Sequence, residues 1–339
     1  MEMTQSHIAA GGAHDSRLSL LVRQIRFEGN GIHSYELVHP QGEELPPFTA
    51  GAHIDIHLPN GMTRQYSLCN APCERHRYVI AVLRDEQGRG GSKALHDSLR
   101  VQDIASVGTP RNNFALAPDA RHVILLAGGI GVTPVKSMAH ALEADGIPFE
   151  LHYCARDEGC VAFREQFGAD WQHGSVHFHF DHGVPSQGLD IANLLREPGD
   201  GTHLFYCGPA GFMRACLEAS THWPAGTVHF EHFKAPATAP EPAAGDACAP
   251  VAPGGFAVKI ASTGAVIEVA ADRSISQALE AAGVRIETSC EAGLCGTCRI
   301  RYLEGAVDHR DYILGPDEQG QWLTACVSRA TSPMLVLDL

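Results

Sequence analysis

The chain has 339 residues, with 25 Lys plus Arg against 39 Asp plus Glu and a formal net charge of −14. That charge makes nucleic acid and anionic membrane surfaces poor partners, and the length points to two or three domains rather than one. No apolar run approaches the roughly 20 residues that cross a bilayer, and the opening Met-Glu-Met-Thr-Gln-Ser-His lacks the basic-then-apolar layout of a signal peptide, so a soluble cytoplasmic protein is expected. The 11 cysteines read as reduced thiols rather than a disulfide framework.

From Leu18 to Leu116 the pattern is mostly strands: Leu18–Phe27, Ile32–Val38, His53–Leu58, Thr63–Leu68, Arg77–Val82 and Ile104–Val107, separated by Pro, Gly and Asn turns. Residues 1–118 are therefore read as a small antiparallel β-barrel. Within it, Arg64-Gln65-Tyr66-Ser67-Leu68 puts a cation, a phenol and a hydroxyl on one strand, and Gly88-Arg89-Gly90-Gly91-Ser92 precedes a helix predicted over Lys93–Leu99. An aromatic platform with a phosphate cradle suits flavin mononucleotide (FMN). Arg64 can pair with the phosphate, Gly90, Gly91 and Ser92 offer N–H groups and a capping hydroxyl, and Tyr66 can lie against the ring. The bland alternative is an exposed strand followed by a Gly-rich hairpin loop.

Past Pro118 the character changes, and residues 119–234 are read as an α/β domain with a parallel sheet. Strands are predicted at His122–Ala127, Phe149–Tyr153, Val176–Phe180 and His203–Cys207, with helices at Pro134–Ala144, around Ala162–Gln166, at Ile191–Leu195 and at Gly211–Ser220. The first strand runs into Gly128-Gly129-Ile130-Gly131-Val132-Thr133-Pro134, a turn that invites a diphosphate: glycines admit close backbone approach, Thr133 can cap, and Pro134 suits the first position of a helix. Alone this is weak, because it is not a full Gly-x-Gly-x-x-Gly. The strand at His203 ends in Cys207-Gly208-Pro209, at the sheet edge where ligands bind open α/β folds. Otherwise Cys207 would be a buried small hydrophobe.

Residues 235–255 are rich in Ala, Pro and Gly and read as a linker with an r.m.s. reach of about 25 Å if flexible. Beyond it, Phe256–Ile260 and Ala265–Val269 alternate like a hairpin pair and Ser276–Ala282 looks helical, so residues 256–339 are assigned to a β-grasp module. This module holds Cys290, Cys295 and Cys298 in one loop and Cys326 further on, the thiolate spacing of a plant-type [2Fe–2S] cluster. Gly293 and Gly296 let the loop wrap the cluster. Structural zinc is the competing reading, since Cys-x2-Cys is also a zinc spacing, but zinc sites usually pair two such units and only one occurs here.

Taken in order, Arg-x-Tyr-Ser, Gly-Arg-Gly-Gly-Ser, Gly-Gly-Ile-Gly-Val-Thr-Pro, Cys-Gly-Pro, His229-Phe230-Glu231-His232-Phe233 and the cysteine loop resemble the phthalate dioxygenase reductase family, vanillate demethylase reductases included. The resemblance runs from about Leu18 to Leu339. It implies FMN in a ferredoxin-reductase-like barrel, NADH in the α/β domain and a fused ferredoxin. It also implies roles: Arg64, Tyr66 and Ser67 toward the flavin, Gly90, Gly91 and Ser92 toward its phosphate, Gly131 and Thr133 toward the dinucleotide, Cys207 beside the nicotinamide and Phe233 near the isoalloxazine. The run Thr109-Pro110-Arg111-Asn112-Asn113-Phe114 matches a family strand whose role the sequence does not supply. The activity so implied is electron transfer from NADH through FMN and the cluster to a Rieske-type terminal oxygenase acting on an aromatic compound, with Ser67 and Cys207 placed at the hydride-transfer geometry. Two rivals are a stand-alone NADH oxidase or ferric/dye reductase, and a redox-sensing interaction protein. The fused ferredoxin opposes the first and the complete nucleotide machinery the second.

Overall fold

The computed structural model describes residues 17–168, 171–234 and 255–339; apart from Gly255, the expected linker lies outside them. The first layer contains β1 (Leu18–Gly29), β2 (Ile32–Val38), β3 (His53–His57), β4 (Thr63–Ser67), β5 (Tyr78–Leu83), α1 (Gly91–Ser98) and β6 (Ile104–Val107). Its antiparallel order is β4-β3-β6-β1-β2-β5. The two outer strands meet: Leu68, just past β4, bridges Ile80, and the Cys69 N–H donates to the Val79 carbonyl at 2.9 Å. This is the antiparallel barrel expected. Alternate residues turn inward, and Leu20, Val22, Leu37, Ile54, Ile56, Ile80 and Val107 fill it.

The second layer is a parallel sheet: β7 (His122–Gly128), α2 (Val132–Asp145), β8 (Phe149–Ala155), α3 (Arg164–Phe167), β9 (Gly174–Phe180), α4 (Ile191–Leu194), β10 (Thr202–Cys207), α5 (Ala210–Ala219) and β11 (Val228–Glu231). The order β11-β10-β7-β8-β9 shows the chain building outward one way from β7 and then returning to build the other way from β10. The crevice between the carboxyl ends of β7 and β10 is therefore a topological switch point. The strands β7 and β10 are almost wholly buried because both faces are covered, one by the cluster around Leu125, Val135 and Met138 and the other by that around Leu126, Leu204 and Met213. Helix α2 starts two residues earlier than the sequence implies. It ends at Gly146, whose φ of 71° makes it a left-handed C-cap.

The third unit comprises β12 (Phe256–Ile260), β13 (Val266–Val269), α6 (Ile275–Ala281), β14 (Arg299–Glu304), β15 (Val307–Asp308), α7 (Pro316–Gln319), β16 (Trp322–Thr324), β17 (Arg329–Ala330) and β18 (Met334–Leu337). Its main sheet runs β13-β12-β18-β14-β16, with β12 and β18 parallel at the centre, as in a β-grasp. Ser274 and Gln277 form a reciprocal capping box that fixes the start of α6. No helix among the described residues is long and apolar enough to cross a membrane.

Candidate functional site

A cleft of about 690 Å3 lies where the three units meet. That is the size range of cofactor pockets. Its walls bring together Arg64, Tyr66 and Ser67 from β4, Gly91 and Ser92 at α1, Thr133 at α2, Phe233 after β11 and Cys290 of the cysteine loop. Arg64 lies across Gly91 so closely that a Cβ there would sit 2.3 Å from its Nε, which explains the glycine by contact rather than by φ. Gly90, at φ 85°, turns the chain into α1 with no side-chain cap, leaving the first N–H groups of the helix open toward an anion. The Ser92 hydroxyl is not the cap anticipated: it accepts from the Asp85 N–H at 3.0 Å and fixes the preceding loop instead.

At the switch point the turns after β7 and β10 pack backbone to backbone. A Cβ on Gly131 would fall 2.1 Å from the Cys207 carbonyl oxygen, one on Gly208 3.0 Å from the Gly128 Cα, and one on Gly128 2.8 Å from the Pro209 ring. Glycine is thus required at all three positions for the crevice to close to its observed width. Two details differ from expectation. Thr133 lies inside α2 and donates to the Ile130 carbonyl at 3.1 Å rather than capping, and Pro134 is the third residue of α2, where a missing N–H still costs no helical hydrogen bond. The helix enters through a 3-10 turn at Gly129–Gly131, with no side-chain cap at Gly131. Cys207 is fully buried, and burial pushes its thiol well above the ordinary value, so it is neutral. It lies behind the cleft, beside Glu231 in the β10–β11 register, rather than on the cleft wall.

The four cysteines of the third unit converge. The Cys290 thiol neighbours those of Cys295 and Cys326, and Cys298 neighbours Cys326. The thiol contacts run from Cys295 through Cys290 and Cys326 to Cys298, four convergent sulfurs as a two-iron cluster requires. Backbone N–H groups of Ala292 and Leu294 point at the Cys290 sulfur at 3.4 and 3.3 Å, and that of Thr297 at the Cys295 sulfur at 3.4 Å. Such donors stabilise thiolates, so the donor set fits an iron–sulfur cluster. Gly293 and Gly296, at φ 70° and 72°, make the wrap possible.

The Pro110–Phe114 run finds its place here. Arg111 donates to Asp55 at 2.8 Å and to the Thr297 hydroxyl at 3.0 Å, Asn113 donates to the Cys295 carbonyl at 3.0 Å, and Ser289 donates to the other Asp55 oxygen at 2.8 Å. Arg89 adds a bond to the Cys290 carbonyl at 2.7 Å. This polar latch holds the cysteine loop against the cleft. Asp55 belongs to no sequence motif, and Glu231 stands in one that assigns it no role. Burial raises the Glu231 carboxyl to about 8, and the Ser67 hydroxyl donates to it at 3.5 Å. An acidic residue inside His-Phe-Glu-x-Phe was the available signal; what it lacked was the register that sets it beside Cys207 and Ser67.

A barrel, a parallel sheet with its switch point on a shared cleft, and a cysteine loop latched to that cleft define an oxidoreductase of ferredoxin-reductase type with a fused iron–sulfur domain. Residues 258–331 match the 2Fe-2S iron-sulfur cluster binding domain. Over 323 residues the chain is 52% identical to the tert-butanol monooxygenase / tert-amyl alcohol desaturase reductase subunit of Aquincola tertiaricarbonis, covering 95% of this chain and 96% of that protein. It is 44% identical to a vanillate O-demethylase oxidoreductase of Pseudomonas sp., covering 95% and 100%. A solved structure of phthalate dioxygenase reductase superposes with a TM-score of 0.71 at 42% identity, covering 96% and 98%. The chain belongs to the phthalate dioxygenase reductase family.

Proposed function

We propose that this protein draws electrons from NADH through FMN and its [2Fe–2S] cluster and delivers them singly to a Rieske-type terminal oxygenase. The observation that carries the reading is the single cleft shared by Arg64, Tyr66, Ser67, Gly91, Thr133, Phe233 and Cys290. A nicotinamide gives up two electrons as hydride and a cluster accepts one; a flavin supplies the conversion when bound. Arg64 and the open N-terminus of α1 would hold its phosphate, Tyr66 and Phe233 its ring, and Ser67 with Glu231 the hydrogen-bonding edge. The glycine-lined crevice between β7 and β10 would take the dinucleotide, with Cys207, buried behind it, as the surface on which the Gly131 turn packs and so as a residue that sets the approach of the nicotinamide by packing. Only Arg156 follows β8, so a 2′-phosphate would find little compensation and NADH is preferred. Residues 1–118, 119–234 and 256–339 are proposed as the three folding units, and the substrate of the oxygenase is never touched by this chain.

The test separates the centres. Cys295→Ser is expected to abolish cytochrome c reduction, which needs single electrons from the cluster, while NADH-dependent ferricyanide reduction at the flavin continues. Full cluster absorbance and normal cytochrome c reduction in this variant would remove Cys295 from the ligand set.

A further inference from the structure

His53 is 3% exposed, yet neither ring nitrogen has a hydrogen-bond partner. Its protein neighbours are already engaged. Both Asp55 oxygens are taken by Ser289 and Arg111, the Ser67 hydroxyl turns to Glu231, the Cys290 carbonyl receives Arg89, and Glu231 Oε1 stands 4.0 Å from His53 Nδ1, beyond hydrogen-bond reach. The remaining direction is the cleft, whose wall His53 joins next to Ser67, its register partner across β3 and β4. Gln65 Nε2, on the same wall, is also buried without a partner. Buried polar groups left unmatched by protein are matched by what occupies the site.

The chemistry of the wall narrows the occupant. Two unmatched imidazole nitrogens beside an unmatched amide of Gln65 suit a heteroaromatic ring bearing carbonyl and ring-nitrogen groups, not a phosphate, for which Arg64 and α1 are already placed. We propose that His53 is a flavin-binding residue whose imidazole hydrogen-bonds the isoalloxazine at the part of the cleft nearest the cysteine loop. This rests on the flavin reading above and adds to it a residue that none of the sequence motifs contains.

The test is FMN binding to flavin-stripped protein retaining its cluster, followed by quenching of flavin fluorescence, in the wild type, His53→Phe and His53→Gln. The phenyl ring keeps the volume and removes both nitrogens, so FMN should bind roughly tenfold more weakly, while glutamine restores affinity to within about threefold. In the unmutated protein with 15N-labelled histidine, the His53 imidazole, assigned by its absence from the spectrum of His53→Gln, should shift when FMN is added. Equal affinity in wild type and His53→Phe, or no imidazole shift on loading, overturns the assignment while leaving the flavin reading intact. Failure of the wild type to bind any flavin overturns both. Should His53→Phe not fold, the imidazole shift in the unmutated chain decides alone.

Discussion

At Cys207 the thiol is fully buried and neutral, so it can act only by shape and contact, not as a base or nucleophile. Its carbonyl is the surface on which Gly131 packs, and its register partner is Glu231. Replacing it with Ala leaves the Gly128–Thr133 turn intact. The expected result is a limiting rate of flavin reduction lower by on the order of a hundredfold with NADH affinity nearly unchanged, both read from single-turnover traces against NADH concentration. An unchanged limiting rate would make Cys207 a packing residue. Glu231 gives a second residue-scale expectation. Its carboxyl keeps its proton to about pH 8 in the fold, against an ordinary value of 4.5. Between those two pH values the unfolded chain has lost a proton that the folded chain retains, so this group's contribution to stability falls as pH rises and levels off above about 8. Glu231→Gln has no such slope: its melting temperature relative to wild type should climb from pH 5 to pH 8, and a pH-independent difference would contradict the raised pKa. Both residues stood in quoted motifs, Cys-Gly-Pro and His-Phe-Glu-x-Phe. Their adjacency was not legible, because it comes from parallel pairing of β10 with β11, and β11 lay unrecognised as a strand inside the second motif.

The elements were largely readable where period and punctuation agree. Strands β1 to β6 alternate between glycine and proline turns, and β7 to β10 are apolar runs set between helical stretches, so these strands are legible with boundaries shifted by one or two residues, whereas β11 is not. Helix starts were less legible. Thr133 and Ser92 look like caps in sequence, yet both hydroxyls bond to neighbouring backbone, and the two helices that face the cleft begin uncapped at Gly90 and Gly131. The absence of a cap is what leaves their N–H groups for an anion. The latch was unreadable for a different reason: Asp55, Arg111, Ser289 and Thr297 are brought together by packing between units more than 200 positions apart in part. Two charge-assisted bonds converge on Asp55, each worth about 1.5–3 kcal/mol. Asp55→Asn weakens both and should slow reduction of the cluster by the flavin roughly tenfold, leaving reduction of the flavin by NADH at its wild-type rate. Rapid-mixing traces that resolve the two absorbances check this, and a wild-type rate of cluster reduction would show that the latch does not govern the transfer.

Over the whole molecule, three sheets serve one cleft. The barrel supplies Arg64, Tyr66 and Ser67, the parallel sheet supplies the switch-point crevice, and the β-grasp unit brings Cys290 to the same wall. Residues far apart along the chain, from Arg64 of β4 to Thr133 of α2 and Cys290 of the cysteine loop, thus share one cleft. The most direct measurement is stopped-flow mixing of the oxidised holoprotein with NADH while flavin and cluster absorbance are followed together. The flavin is expected to be reduced first and the cluster to bleach after it, at a rate independent of protein concentration because the latch makes the transfer intramolecular. A cluster that stays oxidised while the flavin turns over, or one that bleaches only in proportion to protein concentration, would contradict it.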